Sequence, residues 1–229
     1  DEMMQNIAME NNLSETAFFI PEGEGYHIRW FTPVSEVNLC GHATLASAHV
    51  IFSHLGFEKE EITFQSRSGF LKVKKQENFV ILDFPTSEVK EIPLPENIEK
   101  ALGKSPAKCV KGREDLMLIF NSEEDIKNLQ PDFGLLKTLE TRGIIATARS
   151  AEFDFVSRFF APVEGINEDP VTGSAHTVLI PYWTKELGKT ELIAKQISAR
   201  GGILRCKYNK DRVEIGGQAI TYLTGIISI

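Results

Sequence analysis

The residues of this chain best suited to proton or group transfer are Glu15, Cys40, His42 and Ser174. Moving a proton between carbon atoms needs one group that takes it up and returns it. A carboxylate shielded from water serves well, because desolvation favours its neutral form and brings the two forms into balance. Glu15 stands at the mouth of a strand-like run beside Ala17, Phe18 and Phe19, which would shield it; taken alone it is also an ordinary loop carboxylate. His42 begins an apolar stretch and reads either as a proton relay or as a helix-start residue with a local hydrogen bond. Cys40 precedes the same helix-like stretch, and a thiol there tends to ionise more easily. A hydrolase or transferase built on Cys40 and His42 is therefore an alternative, although no third residue orients the pair. Ser174 reads as a helix cap, and Asp169 before Pro170 as a common turn pair.

The elements that position these residues come in two copies. Gly41-His42-Ala43-Thr44 aligns with Gly173-Ser174-Ala175-His176, 132 positions later. The register holds without a gap to Leu55-Gly56 against Leu187-Gly188, and then to Ser66 and Gly69 against Ser198 and Gly201. Each copy runs from a small polar loop into an apolar helix and then a hairpin. The reading predicts two copies facing one another across a cleft, each offering a helix N-terminus, which suits a small anionic ligand. Glycines 41 and 173 would allow that ligand close approach.

Along the chain, Met4, Ile7 and Ala8 are spaced for one helical face, and that helix runs out at Asn11-Asn12. Residues 16–20 read as a strand and 26–32 as the return strand of a hairpin. The first repeat helix is predicted over 43–54; Leu45, Ala46, Ala48, Val50, Ile51, Phe52 and Leu55 leave it almost no polar face, so it should run through the centre of a domain. Residues 62–64, 69–74 and 79–84 are short and β-rich, giving a curved sheet around that helix. The second copy repeats this with a helix over 175–187 and a hairpin of 202–208 and 212–215. Asn209-Lys210-Asp211 turns this hairpin as Gln76-Glu77-Asn78 turns the first. Pro85 to Pro95, polar and bounded by prolines, reads as the linker. The chain opens at Asp1 in the midst of a helical pattern, which suggests that residues precede it.

Composition excludes several classes of function. With 229 residues, 42% hydrophobic and 25% charged, the chain is long enough for two modest cores. Its net charge of -7, with no basic cluster interleaved with aromatics, argues against nucleic acid as a partner. The most apolar stretch, 40–57, is interrupted by His42, His49 and His54, which disfavours a membrane span and fits a cytoplasmic protein. Cysteines at 40, 109 and 206 have no paired spacing, so neither disulfides nor a cysteine metal pair is expected. His42 and His49 lie seven apart without a third ligand at zinc spacing, so no metal is expected. No glycine-rich phosphate loop is present, and no nucleotide cofactor is implied.

Three segments carry a family resemblance: Asn12-Leu13-Ser14-Glu15-Thr16, Leu39-Cys40-Gly41-His42-Ala43-Thr44 and Glu168-Asp169-Pro170-Val171-Thr172-Gly173-Ser174-Ala175. In order and over most of the chain they resemble the signature segments of the phenazine-biosynthesis PhzF-like family, which is related to diaminopimelate epimerase. The resemblance implies an α/β (α+β) fold of two pseudo-symmetric domains, each a curved, mainly antiparallel sheet around a central apolar helix. It divides the chain into an N-terminal lobe, 1–88, lacking the family's first strand and its Gly-Asn-Pro segment, and a C-terminal lobe, 89–229, whose last strand crosses back to the first lobe.

It further implies a cofactor-independent isomerase, a homodimer, that moves a proton within a small carboxylated metabolite. Glu15 matches the family's general acid/base, and His42, Asp169 and Ser174 match the polar groups beside it. Gly41 and Gly173, with Cys40 and Thr172, would bind the substrate at the helix mouths. The epimerase relatives place a cysteine at each mouth; Cys40 occupies the first position and Thr172 the second, which disfavours a two-thiol racemase. The remaining alternatives are a non-catalytic metabolite-binding protein and a Cys40-dependent enzyme.

Overall fold

The computed structural model describes residues 1–228. The chain forms two compact units, Asp1–Asp83 with the chain from Gly216 onward, and Phe84–Ile215. No helix among the described residues is long and apolar enough to cross a membrane.

In the first unit α1 (Glu2–Asn11) buries only Ala8 fully and stops where Asn12 turns left-handed (φ 47°), a conformation asparagine tolerates. β1 (Thr16–Glu22) and β2 (Gly25–Phe31) form an antiparallel hairpin from Thr16↔Phe31 to Glu22↔Gly25. β3 (Glu36–Val37) adds to β2. The chain then enters α2 (Gly41–His54) and returns as β4 (Glu61–Ser66), parallel to β2. β5 (Gly69–Gln76) and β6 (Phe79–Pro85) complete the order β1-β2-β4-β5-β6. Strict alternation points Ile62 and Phe64, Leu71 and Val73, Val80 and Leu82 inward, so one sheet face is dry. Ala43, Thr44, Ser47, Ala48 and Ile51 of α2 are buried, but Ala46, Ser53 and His54 are exposed. The helix is central on one side and open along one edge.

The second unit holds β7 (Lys90–Ile92), α3 (Ile98–Leu102), β8 (Lys108–Lys111), β9 (Asp115–Ile119), α4 (Glu123–Lys127), α5 (Phe133–Leu136), β10 (Gly143–Arg149), β11 (Phe155–Phe160), α6 (Gly173–Leu187), β12 (Glu191–Gln196), β13 (Gly202–Asn209) and β14 (Arg212–Gly217). Its strand order is β14-β13-β12-β11-β10-β9-β8-β7. The β9/β10 and β11/β12 pairs are parallel. β10 is buried on both faces: Ile144, Ala146 and Ala148 join the core made by α3, α4 and α5, while Thr147 on the other face accepts a hydrogen bond from Trp183 of α6 (3.0 Å). Trp183 stacks on Phe155 with rings 5.6 Å apart. α6 contains Pro181, which cannot donate to the carbonyl of Thr177; Ser87 N–H takes that carbonyl instead (3.1 Å).

Three sequence readings need correction. Both repeat helices begin two residues earlier than the apolar pattern suggests, at Gly41 and Gly173, because a first turn needs no buried side chain. The stretch 85–95, read as a linker, contains β7; it is an exposed edge strand whose polar side chains conceal it. The short helices α3, α4 and α5 passed unnoticed, since four or five residues show no helical period.

Candidate active site

The residues singled out from the sequence fall into two groups, one in each unit. In the first unit, Glu15 lies on the bend between α1 and β1, and Cys40, Gly41 and His42 form the start of α2. The chain passes through β1, β2 and β3 between them, and pairing of those strands brings the two ends together. His42 Nε2 lies 3.0 Å from Glu15 Oε2, with the two side chains 27% and 13% exposed. Cys40, the extended residue before the helix, is buried; its Sγ lies 3.7 Å from His42 Nδ1 and 3.8 Å from Nε2. Burial pushes the Cys40 thiol up, and the neighbouring imidazole only partly offsets this. Glu15 Oε2 is buried and makes no aligned hydrogen bond, despite its closeness to the ring nitrogen. A carboxylate held at an imidazole but not locked to it has the arrangement needed to take up and release a proton.

In the second unit Asp169, Thr172, Gly173 and Ser174 lie together at the start of α6. Asp169 and Thr172 are buried, and the Thr172 hydroxyl donates to Asp169 Oδ2. Gln196, wholly buried on β12, ties both in place. Its Oε1 accepts from Thr172 N–H (2.8 Å), and its Nε2 donates to the Asp169 carbonyl (2.7 Å) and the Thr172 hydroxyl (3.1 Å). Ser174 is not the helix cap expected of it. Thr172 holds that position, and the Ser174 hydroxyl accepts a hydrogen bond from Arg142 Nη2 (3.1 Å). Arg142 also grips Asp115 through Nε (3.0 Å) and Nη2 (2.5 Å). Burial pushes the Asp115 carboxyl up, and the guanidinium pulls it back toward the charged form.

The two helix starts are built alike. In α2 the fourth helical residue, Thr44, donates its hydroxyl hydrogen to the Cys40 carbonyl (2.6 Å); in α6 the fourth, His176, sets Nδ1 2.7 Å from the Thr172 carbonyl. A carbonyl accepts only, so His176 carries its proton on Nδ1. Burial lowers its pKa to about 4, and the ring is neutral. Neither helix has an acidic residue in its first turn or a side-chain cap hydrogen bond; the carboxylates near the two starts, Glu15 and Asp169, come from outside the helices.

Sequence reasoning missed Gln196, Arg142, Asp115 and His176. The last had a visible signal in the repeat, where Thr44 and His176 occupy equivalent positions; Asp115 and Gln196 lie on strands, and Arg142 on the bend before β10, all remote in sequence. No third ligand stands at zinc spacing along the chain from His42 and His49, but in the fold Glu15, Cys40 and His42 each place a potential ligand atom within 4.8 Å of the others. Spacing along the chain could not show this, because β1 and β2 bring Glu15 back to α2.

The family described as Phenazine biosynthesis-like protein (PhzC-PhzF) matches residues 1–225. A protein of Pseudomonas aeruginosa named as an uncharacterized isomerase is 49% identical over 229 residues, all of this chain and 88% of that one. The crystal structure of a PhzF family protein from Enterococcus faecalis superposes with a TM-score of 0.94 at 48% identity, over 97% of this chain and 85% of that one. A predicted epimerase of Pseudomonas aeruginosa, 18% identical, shares the fold with a TM-score of 0.70 over 95% of this chain and 85% of that one. The chain belongs to the phenazine biosynthesis-like PhzC-PhzF family, and it is an isomerase.

Proposed function

We propose that this isomerase moves a proton within a small carboxylated metabolite without a cofactor, with Glu15 as general acid and base. The observation that carries this reading is the 3.0 Å pair of Glu15 and His42 at the N-terminus of α2, in which the carboxylate oxygen is buried yet makes no aligned hydrogen bond. Glu15 removes a proton from a carbon made acidic by a neighbouring carbonyl or double bond, and returns it elsewhere on the same molecule. His42 is the charge partner of the carboxylate and can pass the proton on. Backbone N–H groups at Gly41 face developing negative charge, worth roughly 0.3 to 2 kcal/mol at such a terminus. For Asp169 and Ser174 the reading keeps the role the resemblance implies, holding polar groups of the substrate; Gln196 and Arg142 fix their positions.

A thiol-dependent enzyme built on Cys40 fits less well, because the sulfur is buried and its thiol is pushed up, away from the nucleophilic thiolate. The test is proton NMR in deuterated water against a panel of small carboxylated metabolites. Wild type should incorporate deuterium into one compound, and Glu15→Gln should lose on the order of 100-fold to 10,000-fold of that rate with its fold intact. Exchange undiminished in Glu15→Gln would remove Glu15 from the mechanism. Binding without exchange in any compound would favour a metabolite-binding protein instead.

A further inference from the structure

We propose that Glu15, Cys40 and His42 form a site for a thiophilic divalent cation of the zinc class. One carboxylate oxygen, one sulfur and one ring nitrogen lie within 4.8 Å of one another, contributed by a bend and a helix start that are 25 residues apart in sequence. The oxygen and nitrogen are 3.0 Å apart and the sulfur and nitrogen 3.8 Å. Zinc bonds of about 2.0 to 2.3 Å in a tetrahedron require edges of about 3.3 Å and about 3.6 Å for the same two pairs. Two of the three edges are therefore close to those of a coordination tetrahedron before any ion arrives, and the sulfur and the carboxylate oxygen lie within 4.8 Å of each other.

The donor set selects the ion. Calcium and magnesium take oxygen ligands almost exclusively, whereas a mixed sulfur, nitrogen and oxygen set suits zinc and its softer neighbours. The buried Oε2 of Glu15, which makes no aligned hydrogen bond, has a lone pair to give. Cys40 Sγ lies about equally near both ring nitrogens, and its thiol proton is released to solvent as the metal–sulfur bond forms. The part of the His42 side chain that stays exposed gives the ion an entry from solvent. Occupancy would hold Glu15 at the ion and stop proton transfer; that consequence rests on the role proposed for Glu15, whereas the binding does not.

The experiment is a cobalt titration of chelator-treated wild type, read by absorbance. One Co2+ per chain should bind with a thiolate-to-cobalt charge-transfer band in the near ultraviolet, and Zn2+ should displace it. Cys40→Ala should abolish the band although Cys109 and Cys206 remain, and Glu15→Gln and His42→Asn should each weaken binding by at least about tenfold. Absence of the band in wild type, or its survival in Cys40→Ala, overturns the proposal. A zinc absorption-edge measurement on wild type keeps the test independent of any variant's folding: one sulfur at about 2.3 Å supports the site, and a shell of nitrogen and oxygen alone refutes it. Zinc binding with no Glu15-dependent deuterium exchange would leave the ion site standing and sink only the proposed reaction.

Discussion

A residue's position in the helix start decides its chemistry here more than its type does. His42 is the second residue of α2 and pairs with Glu15; His176 is the fourth residue of α6 and is buried in the unit's interior against Phe155 (ring centroids 6.0 Å). The first ring lies against a carboxylate at the edge of solvent, and the second is held neutral by burial. Because the folded pKa of His176, about 4, lies below the ordinary value of 6.5, protonation favours the unfolded chain between those limits. Its contribution to stability is therefore present above pH 6.5 and is lost as pH falls toward 4. The shift corresponds to about 3 kcal/mol at full effect. Unfolding free energies of wild type and His176→Gln, which keeps a donor for the Thr172 carbonyl but has no proton to gain, should converge by that order across the window. A difference that stays constant from pH 7 to pH 4 would mean that another group dominates acid unfolding.

Among the elements, those with a strong period were legible in the sequence and those with none were not. The alternation of Ile62 and Phe64 or Val80 and Leu82 announces half-buried strands, and the 132-residue repeat correctly pairs α2 with α6. β7 was hidden because an edge strand needs no buried side chains, and α4 because five residues starting with three acids look like a loop. Glu15 was placed at a strand mouth by the run that follows it, but its approach to Cys40 depends on the pairing of β1 with β2, which no local pattern contains. Gly25 shows how tightly that region is built. A Cβ there would lie 2.2 Å from the carbonyl oxygen of Thr63, a backbone atom of β4 that cannot turn aside. Gly25→Ala should force β2 away from β4 and lower stability by about 1 to 3 kcal/mol, measured by urea unfolding. A loss below about 0.5 kcal/mol would show that the two strands part more freely than their parallel register suggests.

At the scale of the whole molecule, composition spoke for two modest cores, and each unit has one. Apolar content alone could not reveal that the first unit is discontinuous, because its last piece is separated from the rest by the entire second unit. That piece is held by specific contacts: Thr221 Oγ1 lies 3.1 Å from His49 Nε2 and 2.7 Å from His54 Nε2, and Gly217 fits against Leu45 so closely that a Cβ would meet its Cδ1 at 2.8 Å. The histidines at 49 and 54, which in the sequence only interrupted an apolar stretch, thus anchor the returning chain along the open edge of α2. The chain has two tryptophans, and one is buried in each unit, Trp30 in the first and Trp183 in the second. Trp183→Phe leaves fluorescence that reports the first unit, and Trp30→Phe leaves fluorescence that reports the second. Ending the chain after Gly217 removes the Thr221 hydrogen bonds, worth about 1 kcal/mol for exposed partners. The unfolding midpoint read from Trp30 should therefore fall further on truncation than the midpoint read from Trp183. Equal falls would mean that the segment from 218 onward supports both units, and no fall at Trp30 would mean that the contacts of Thr221 carry no stability.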